Sequence, residues 1–170
     1  MSAPTREFTR QLLESAPSLR AFAISLTGNV ERADDLVQET MMRAWANSAS
    51  FAEGTNIKAW LFTILRNAFT SQFRKRKREV EDADGNYAAS LVALADQEDK
   101  AALDDMREAL AKLPSEQREA VLLVGASGFS YEEAAEICDC AIGTIKSRVN
   151  RGRAKLAELI YGPGYSGESD

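Results

Sequence analysis

Residues 130–159 read SYEEAAEICDCAIGTIKSRVNRGRAKLAEL, and the order of caps, breaks and charges along this stretch decides the fold. Ser130 is followed three residues later by Glu133, the reciprocal pairing that opens a helix by satisfying two free backbone N–H groups. The helix it opens is short, with Ala134, Ala135 and Ile137 as its apolar positions. A tight break at Asp139-Cys140-Ala141 follows, and a longer helix is expected from about Ile142 to Leu159. At helical spacing Ile145, Val149 and Leu156 fall within about 40° of one another and would face a core. Lys146, Ser147, Asn150 and Arg151 project from the opposite side. Between Ile142 and Ala157 stand five basic residues, Lys146, Arg148, Arg151, Arg153 and Lys155, and no acid. A short helix, a tight turn and a long basic helix make a helix-turn-helix. Arginine and lysine bond guanine edges, asparagine bonds adenine, and the remaining cations clamp phosphates, so the stretch points to DNA.

Working outward, the same domain opens with Leu103, Met106, Ala109, Leu110 and Leu113 at helical spacing, stopped by Pro114. Ala120, Val121 and Val124 continue in a helix that ends near Gly125 to Gly128. The N-terminal part of the chain is helical as well, and no stretch alternates like a strand. Leu12, Leu13, Ala16, Leu19, Phe22, Ala23 and Leu26 form one stripe, ended by Gly28-Asn29. Asn29 is placed to cap a second helix with the stripe Ala33, Leu36, Val37, Met41, Ala44 and Trp45. A loop from Ala46 to Asn56 leads to a third helix. There Trp60, Leu61, Ile64, Leu65 and Ala68 cover one face, and Phe62, Phe69 and Phe73 form a second stripe. The expected fold class is therefore all-α, in two small helical domains.

Charge divides the chain in the same way. Net charge is −5, but residues 1–78 carry 12 basic and 7 acidic side chains, whereas residues 79–105 carry nine acids and one base. The span 79–105 reads as a solvated acidic linker between a domain at 1–78 and one at 106–161, with a flexible tail at 162–170. No apolar run approaches the length of a membrane span, and Met1 to Gln11 lacks the apolar stretch of a signal peptide, so a cytoplasmic protein is expected. Cys138 and Cys140 are too close in sequence to staple a fold, and without histidine they are too few to hold zinc. No cofactor is expected.

A second basic cluster closes the first domain: Arg66, then Arg74-Lys75-Arg76-Lys77-Arg78, with no acid between 66 and 78. It follows a helix that holds Trp60 and Phe62. Cations beside aromatics suit unpaired strands, because phosphates need positive charge and exposed bases need flat partners. The same aromatics also serve as ordinary core residues, and a polybasic run also serves to solubilise a helix end.

Four motifs then carry a family resemblance from about Phe8 to Ile160. They are Ala33-Asp34-Asp35-Leu36-Val37-Gln38-Glu39-Thr40, Ala59-Trp60-Leu61-Phe62-Thr63-Ile64-Leu65-Arg66-Asn67, Leu113-Pro114-Ser115-Glu116-Gln117-Arg118-Glu119 and Gly143-Thr144-Ile145-Lys146-Ser147-Arg148. In this order they resemble the extracytoplasmic-function sigma factors. The stretches 76–85 and 124–131 are similar to the general-stress-response group, the EcfG type. The resemblance implies a sigma region 2 that binds core RNA polymerase and opens the minus-10 element, and a sigma region 4 that reads the minus-35 element of promoter DNA. On matching positions, Phe51 and Asn67 would capture a flipped minus-10 base, with Arg66, Arg74 and Lys75 beside them and the loop 50–56 as its pocket. Lys146, Ser147, Asn150 and Arg151 would meet minus-35 bases, while Thr144, Arg148 and Arg153 would hold phosphates. Asp34, Asp35, Gln38, Glu39 and Met42 would face the polymerase. An anti-sigma factor is the further partner implied. Ala141 departs from the family pattern, in which proline is common at this position.

Other functions fit less of the chain. A sigma-like partner-switching regulator needs a receiver domain, for which 170 residues leave no room. A stand-alone helix-turn-helix regulator leaves the first domain without purpose. An enzyme built on Asp34, Asp35 and Glu39 as metal ligands finds neither a histidine nor a phosphate-cradling glycine loop in the sequence.

Overall fold

The chain becomes helical at Thr5, whose backbone is extended (φ −67°, ψ 158°) and whose Oγ1 accepts the N–H of Phe8 at 3.1 Å. Such a cap satisfies one of the free donors of a helix start. The computed structural model describes residues 3–77 and 100–165, and there the first helix, α1, spans Arg6–Thr27. It ends where Gly28 takes the left-handed conformation, φ 66°, and donates its N–H to Ile24 O at 2.8 Å. Asn29 at once caps α2, Val30–Ala46, its side chain accepting from Arg32 N at 3.0 Å. One short turn at Ser48–Ser50 follows, and α3 then runs Ile57–Lys77.

These three helices pack pairwise into a bundle. Its core holds Leu12, Leu19, Phe22 and Ile24 from α1, Leu36 and Ala44 from α2, and Leu61, Phe62 and Leu65 from α3. Phe22 and Phe62 stack with centroids 4.9 Å apart. Thr40 is fully buried but donates its hydroxyl to Leu36 O at 2.8 Å, so no polar group is stranded there. Three residues expected on the packed stripes of this bundle are exposed. Leu13 is 62% exposed, Trp45 48% and Phe73 55%. Trp45 sits about 100° around α2 from Ala44, at the stripe's edge. Phe8 and Ile24 take core places that the stripes did not assign.

The second set of helices is α4 (Lys100–Lys112), α5 (Ser115–Val121), α6 (Tyr131–Cys138) and α7 (Ile142–Tyr161). Since α4 begins at Lys100, its first turn lies inside the span 79–105 expected as linker. Ala101 and Ala102 favour helix strongly enough to extend it back past the apolar stripe. The remainder of that span, up to 99, and the tail beyond 165 lie outside the described residues. Between α5 and α6 the backbone widens into a π-turn at Leu122–Ala126, where Ser127 N–H reaches back to Leu122 O at 2.9 Å. The wider turn shifts the register of the side chains around it. Leu123 is buried in consequence, while Val124, the expected core residue, is only half-buried. Ala109, Leu113 and Leu156 form a buried cluster, with Leu110, Val121, Leu159 and Ile160 packed on it.

Among the described residues there is no strand, and the fold is all-α as expected. The chain divides into two compact units, one built on α1–α3 and one on α4, α5 and α7. Among the described residues no helix is long and apolar enough to cross a membrane.

Candidate functional site

The basic helix α7 is positioned by the segment that precedes it. Ser130 N–H donates to Glu133 Oε2 at 3.2 Å, and Glu133 N–H donates to Ser130 Oγ at 3.1 Å, the reciprocal cap expected for α6. Asp139 then adopts φ 52°, a conformation that short polar side chains tolerate. Cys140 N–H returns to Ala135 O at 3.0 Å, and Ala141 (φ −70°, ψ 149°) leads into α7 with no side-chain cap.

On α7 the buried line is Ile145, Val149, Gly152 and Leu156. Gly152 was missing from the expected core line, and it marks where α5 crosses. A Cβ there would lie 2.6 Å from Val121 Cγ2 and 3.3 Å from Gln117 O. A glycine in the middle of an otherwise well-formed helix was the signal for this crossing. Lys146, Ser147, Asn150 and Arg151 are exposed on the other side, as the spacing requires, and Arg153 is exposed at the edge beside Val149. Lys146 Nζ stands 5.8 Å from the centre of the Tyr131 ring, a cation–π contact that steadies its long side chain. Thr144 is half-buried, and Arg148 differs from its neighbours. Its Nη2 lies 3.5 Å from Glu116 Oε2 and its Nη1 4.0 Å from Cys140 Sγ.

In the first unit, Phe51 lies at the foot of the loop after α2. Its ring packs on Trp60 with centroids 5.3 Å apart and on Phe8 at 5.9 Å. This ring forms part of the wall of an open recess of about 610 Å³, lined also by Thr5, Phe8, Ser48 and Glu53. Asn67 is exposed on α3, two turns beyond Trp60 and so about 10 Å further along the same face. Arg74 and Lys75 are exposed at the end of α3, whereas Arg66 is half-buried.

On α2 the acidic residues separate into two environments. Asp34 accepts from Arg20 Nε of α1 at 2.8 Å. Asp35, Gln38, Glu39 and Met42 line one shallow groove of about 530 Å³. There Glu39 is fixed by Gln72 Nε2 of α3 at 2.6 Å and by Arg43 of its own helix. Met42 is 66% exposed. It also lines an adjoining apolar groove of about 370 Å³ with Leu13, Met41 and Trp45, all three of which periodicity had placed in the core. Among the described residues no cluster of cysteines and carboxylates is arranged to hold a metal ion.

Residues 12–79 match the Sigma-70 region 2 family and residues 103–156 the Sigma-70, region 4 family. Over 150 residues the chain is 64% identical to the ECF RNA polymerase sigma factor EcfG of Rhodopseudomonas palustris (strain TIE-1), across 88% of this chain and 83% of that one. This chain belongs to the ECF sigma factors. A more distant ECF sigma factor, SigM of Bacillus subtilis (strain 168), is 34% identical over 151 residues, across 86% of this chain and 90% of that one. Among solved structures, the sigma factor RpoE in complex with the anti-sigma factor NepR from Bartonella quintana matches with a TM-score of 0.82 and 55% identity, across 94% of this chain and 99% of that one. As an ECF sigma factor the chain binds core RNA polymerase and promoter DNA and directs transcription initiation.

Proposed function

We propose that this ECF sigma factor directs general-stress-response promoters, reading the minus-35 element with the outer face of α7 and opening the minus-10 element with α3 and the loop before it. The observation that carries the reading is the exposed row Lys146, Ser147, Asn150 and Arg151, set on a buried apolar line and oriented by the Ser130–Glu133 cap. Base edges in the major groove are read by such side chains on one helix face, and Arg153, about two turns from Lys146 on the same edge, suits a phosphate. In the first unit, the Phe51–Trp60 wall and exposed Asn67 suit a base taken out of the duplex, with Arg66, Arg74 and Lys75 along the strand. Asp35, Gln38, Glu39 and Met42 face the polymerase, and the neighbouring Leu13 and Trp45 widen that face with apolar surface.

The 64% identity to EcfG and the match to RpoE in its NepR complex support control by an anti-sigma factor. The protein works in the cytoplasm and supplies no bond chemistry, which is left to the polymerase. Run-off transcription with purified core polymerase tests the reading. A promoter with a GGAAC-like minus-35 element should give a transcript that depends on this chain, and scrambling that element should remove it.

A further inference from the structure

Among the described residues, Glu116 is an acid set against the DNA-facing cations of α7. It stands in the first turn of α5, and with Gln117 it forms one wall of an open cleft of about 470 Å³. Thr144, Ser147, Arg148 and Arg151 of α7 form the opposite wall. The carboxylate therefore looks into the surface that meets DNA in the function proposed above, on which this inference rests. Its side chain is 70% exposed, and Arg148, its ion-pair partner at 3.5 Å, is 23% exposed. An ion pair with one partner so exposed, at 3.5 Å, contributes little to stability. The pair is thus poorly explained as a device for holding the fold together.

Phosphate competes for a guanidinium on the same terms as a carboxylate, since both offer paired oxygens to the planar fork of donors. Arg148 is held on the flank of α7, against Glu116 on one side and the Cys140 sulfur on the other. To reach a phosphate it must give up Glu116, which would then be left with its charge facing the DNA backbone. That cost is smallest on a matched element, where base contacts hold α7 in the one register that sets Arg148 on a phosphate. It is largest where α7 slides over mismatched DNA with the carboxylate against the backbone. A matched element offsets it through base contacts to Lys146, Ser147, Asn150 and Arg151, and a mismatched one does not.

We propose that Glu116 is a specificity-determining residue, whose carboxylate holds Arg148 away from phosphate and so penalises binding wherever the base contacts of α7 are not made. It is a case of discrimination built from repulsion, in which a charge placed against the wrong partner counts for as much as contacts to the right one. Arg148 is on this view a positioning residue in the free protein and a phosphate ligand only on matched DNA.

The test uses holoenzyme assembled from core polymerase and the full chain, with duplexes carrying a matched or a scrambled minus-35 element, titrated across salt. Glu116→Gln should tighten binding to scrambled DNA several-fold and narrow the matched-to-scrambled ratio. On scrambled DNA it should steepen the salt slope by about one released counterion, the contribution of one further phosphate contact. Glu116→Asp, which keeps the charge, should restore most of the ratio. A purely structural role for Glu116 would move thermal stability without moving the salt slope. Unchanged affinity and slope for Glu116→Gln on both duplexes would overturn the proposal. So would a loss confined to matched DNA, which would make Glu116 a direct reader of a base. If the unmodified holoenzyme itself binds both duplexes alike, the assignment of α7 as the reading helix fails first, and this inference with it.

Discussion

Gly152 of α7 and Val121 of α5 touch so closely that no side chain fits between them: a Cβ on Gly152 would come within 2.6 Å of Val121 Cγ2. Valine is stiff at χ1 and cannot swing aside at low cost. Gly152→Ala gains up to about 1 kcal/mol of helix propensity but must force the helices apart, an overpacking that costs about 1–3 kcal/mol. A net loss of about 1–2 kcal/mol is expected, seen as a melting temperature lowered by several degrees in circular dichroism. Adding Val121→Ala should recover part of that loss, so the double variant will be more stable than the two single changes predict. Additive losses would mean that the two positions do not share one contact.

Ala141 offers a gain. Its φ of −70° is the value a proline ring imposes, and it stands at the entry to α7 where proline is tolerated. Ala141→Pro should stabilise the protein by about 0.4–1 kcal/mol by restricting the unfolded chain. Urea denaturation should show a raised midpoint with an unchanged slope.

The outer face of α7 separates readers from clamps. Arg151→Ala should cost about 1–3 kcal/mol on the matched minus-35 element and relax preference at one position. Arg153→Ala should weaken matched and scrambled DNA alike and flatten the salt slope by about one unit. Equal losses on both duplexes for Arg151→Ala would remove it from base reading.

The face of α2 is the place to interrupt assembly. Glu39 also holds Gln72 and Arg43, so Glu39→Arg disturbs local structure as well as charge. Asp35→Arg with Met42→Glu avoids this, because both side chains are exposed. Reversed charge across an interface costs several kcal/mol, so core polymerase binding should fall at least tenfold while helix content stays constant. Holoenzyme formed with unchanged affinity would place the docking face elsewhere.

For strand opening, Asn67 is a cleaner probe than Phe51, whose ring also packs on Phe8 and Trp60. Asn67→Ala should leave duplex promoter capture intact and reduce the permanganate reactivity of unpaired minus-10 thymines. Phe51→Ala should show the same defect together with a lower melting temperature. Normal opening in Asn67→Ala would move the base pocket away from α3.

The fold was readable wherever local chemistry sufficed. The stop at Gly28, the cap at Asn29 and the Ser130–Glu133 box need only neighbours in sequence, and each is present with the expected bonds. The exposed row on α7 came from periodicity and charge alone. The features that could not be read depended on which helix covers which flank. Leu13 and Trp45 are apolar and correctly spaced, yet they stay exposed among the described residues, because periodicity reports which side of a helix is apolar and not whether a neighbour reaches it. The π-turn displaced Val124 in favour of Leu123, a shift of register with no composition signal. Arg148 looked like one more cation until α5 placed Glu116 beside it.

The two-residue joint at Gly28-Asn29 bears on how the protein is made. With so short a connection, α1 and α2 meet through contacts close in sequence, and arrangements of that kind form in microseconds to milliseconds. A ribosome adds about 5–20 residues each second, so this helical pair can close while α3 is still being synthesised. Until then Phe22 lacks the Phe62 ring that later stacks on it. For those seconds the nascent chain presents an open apolar seam, and this exposure comes before α7 has been synthesised.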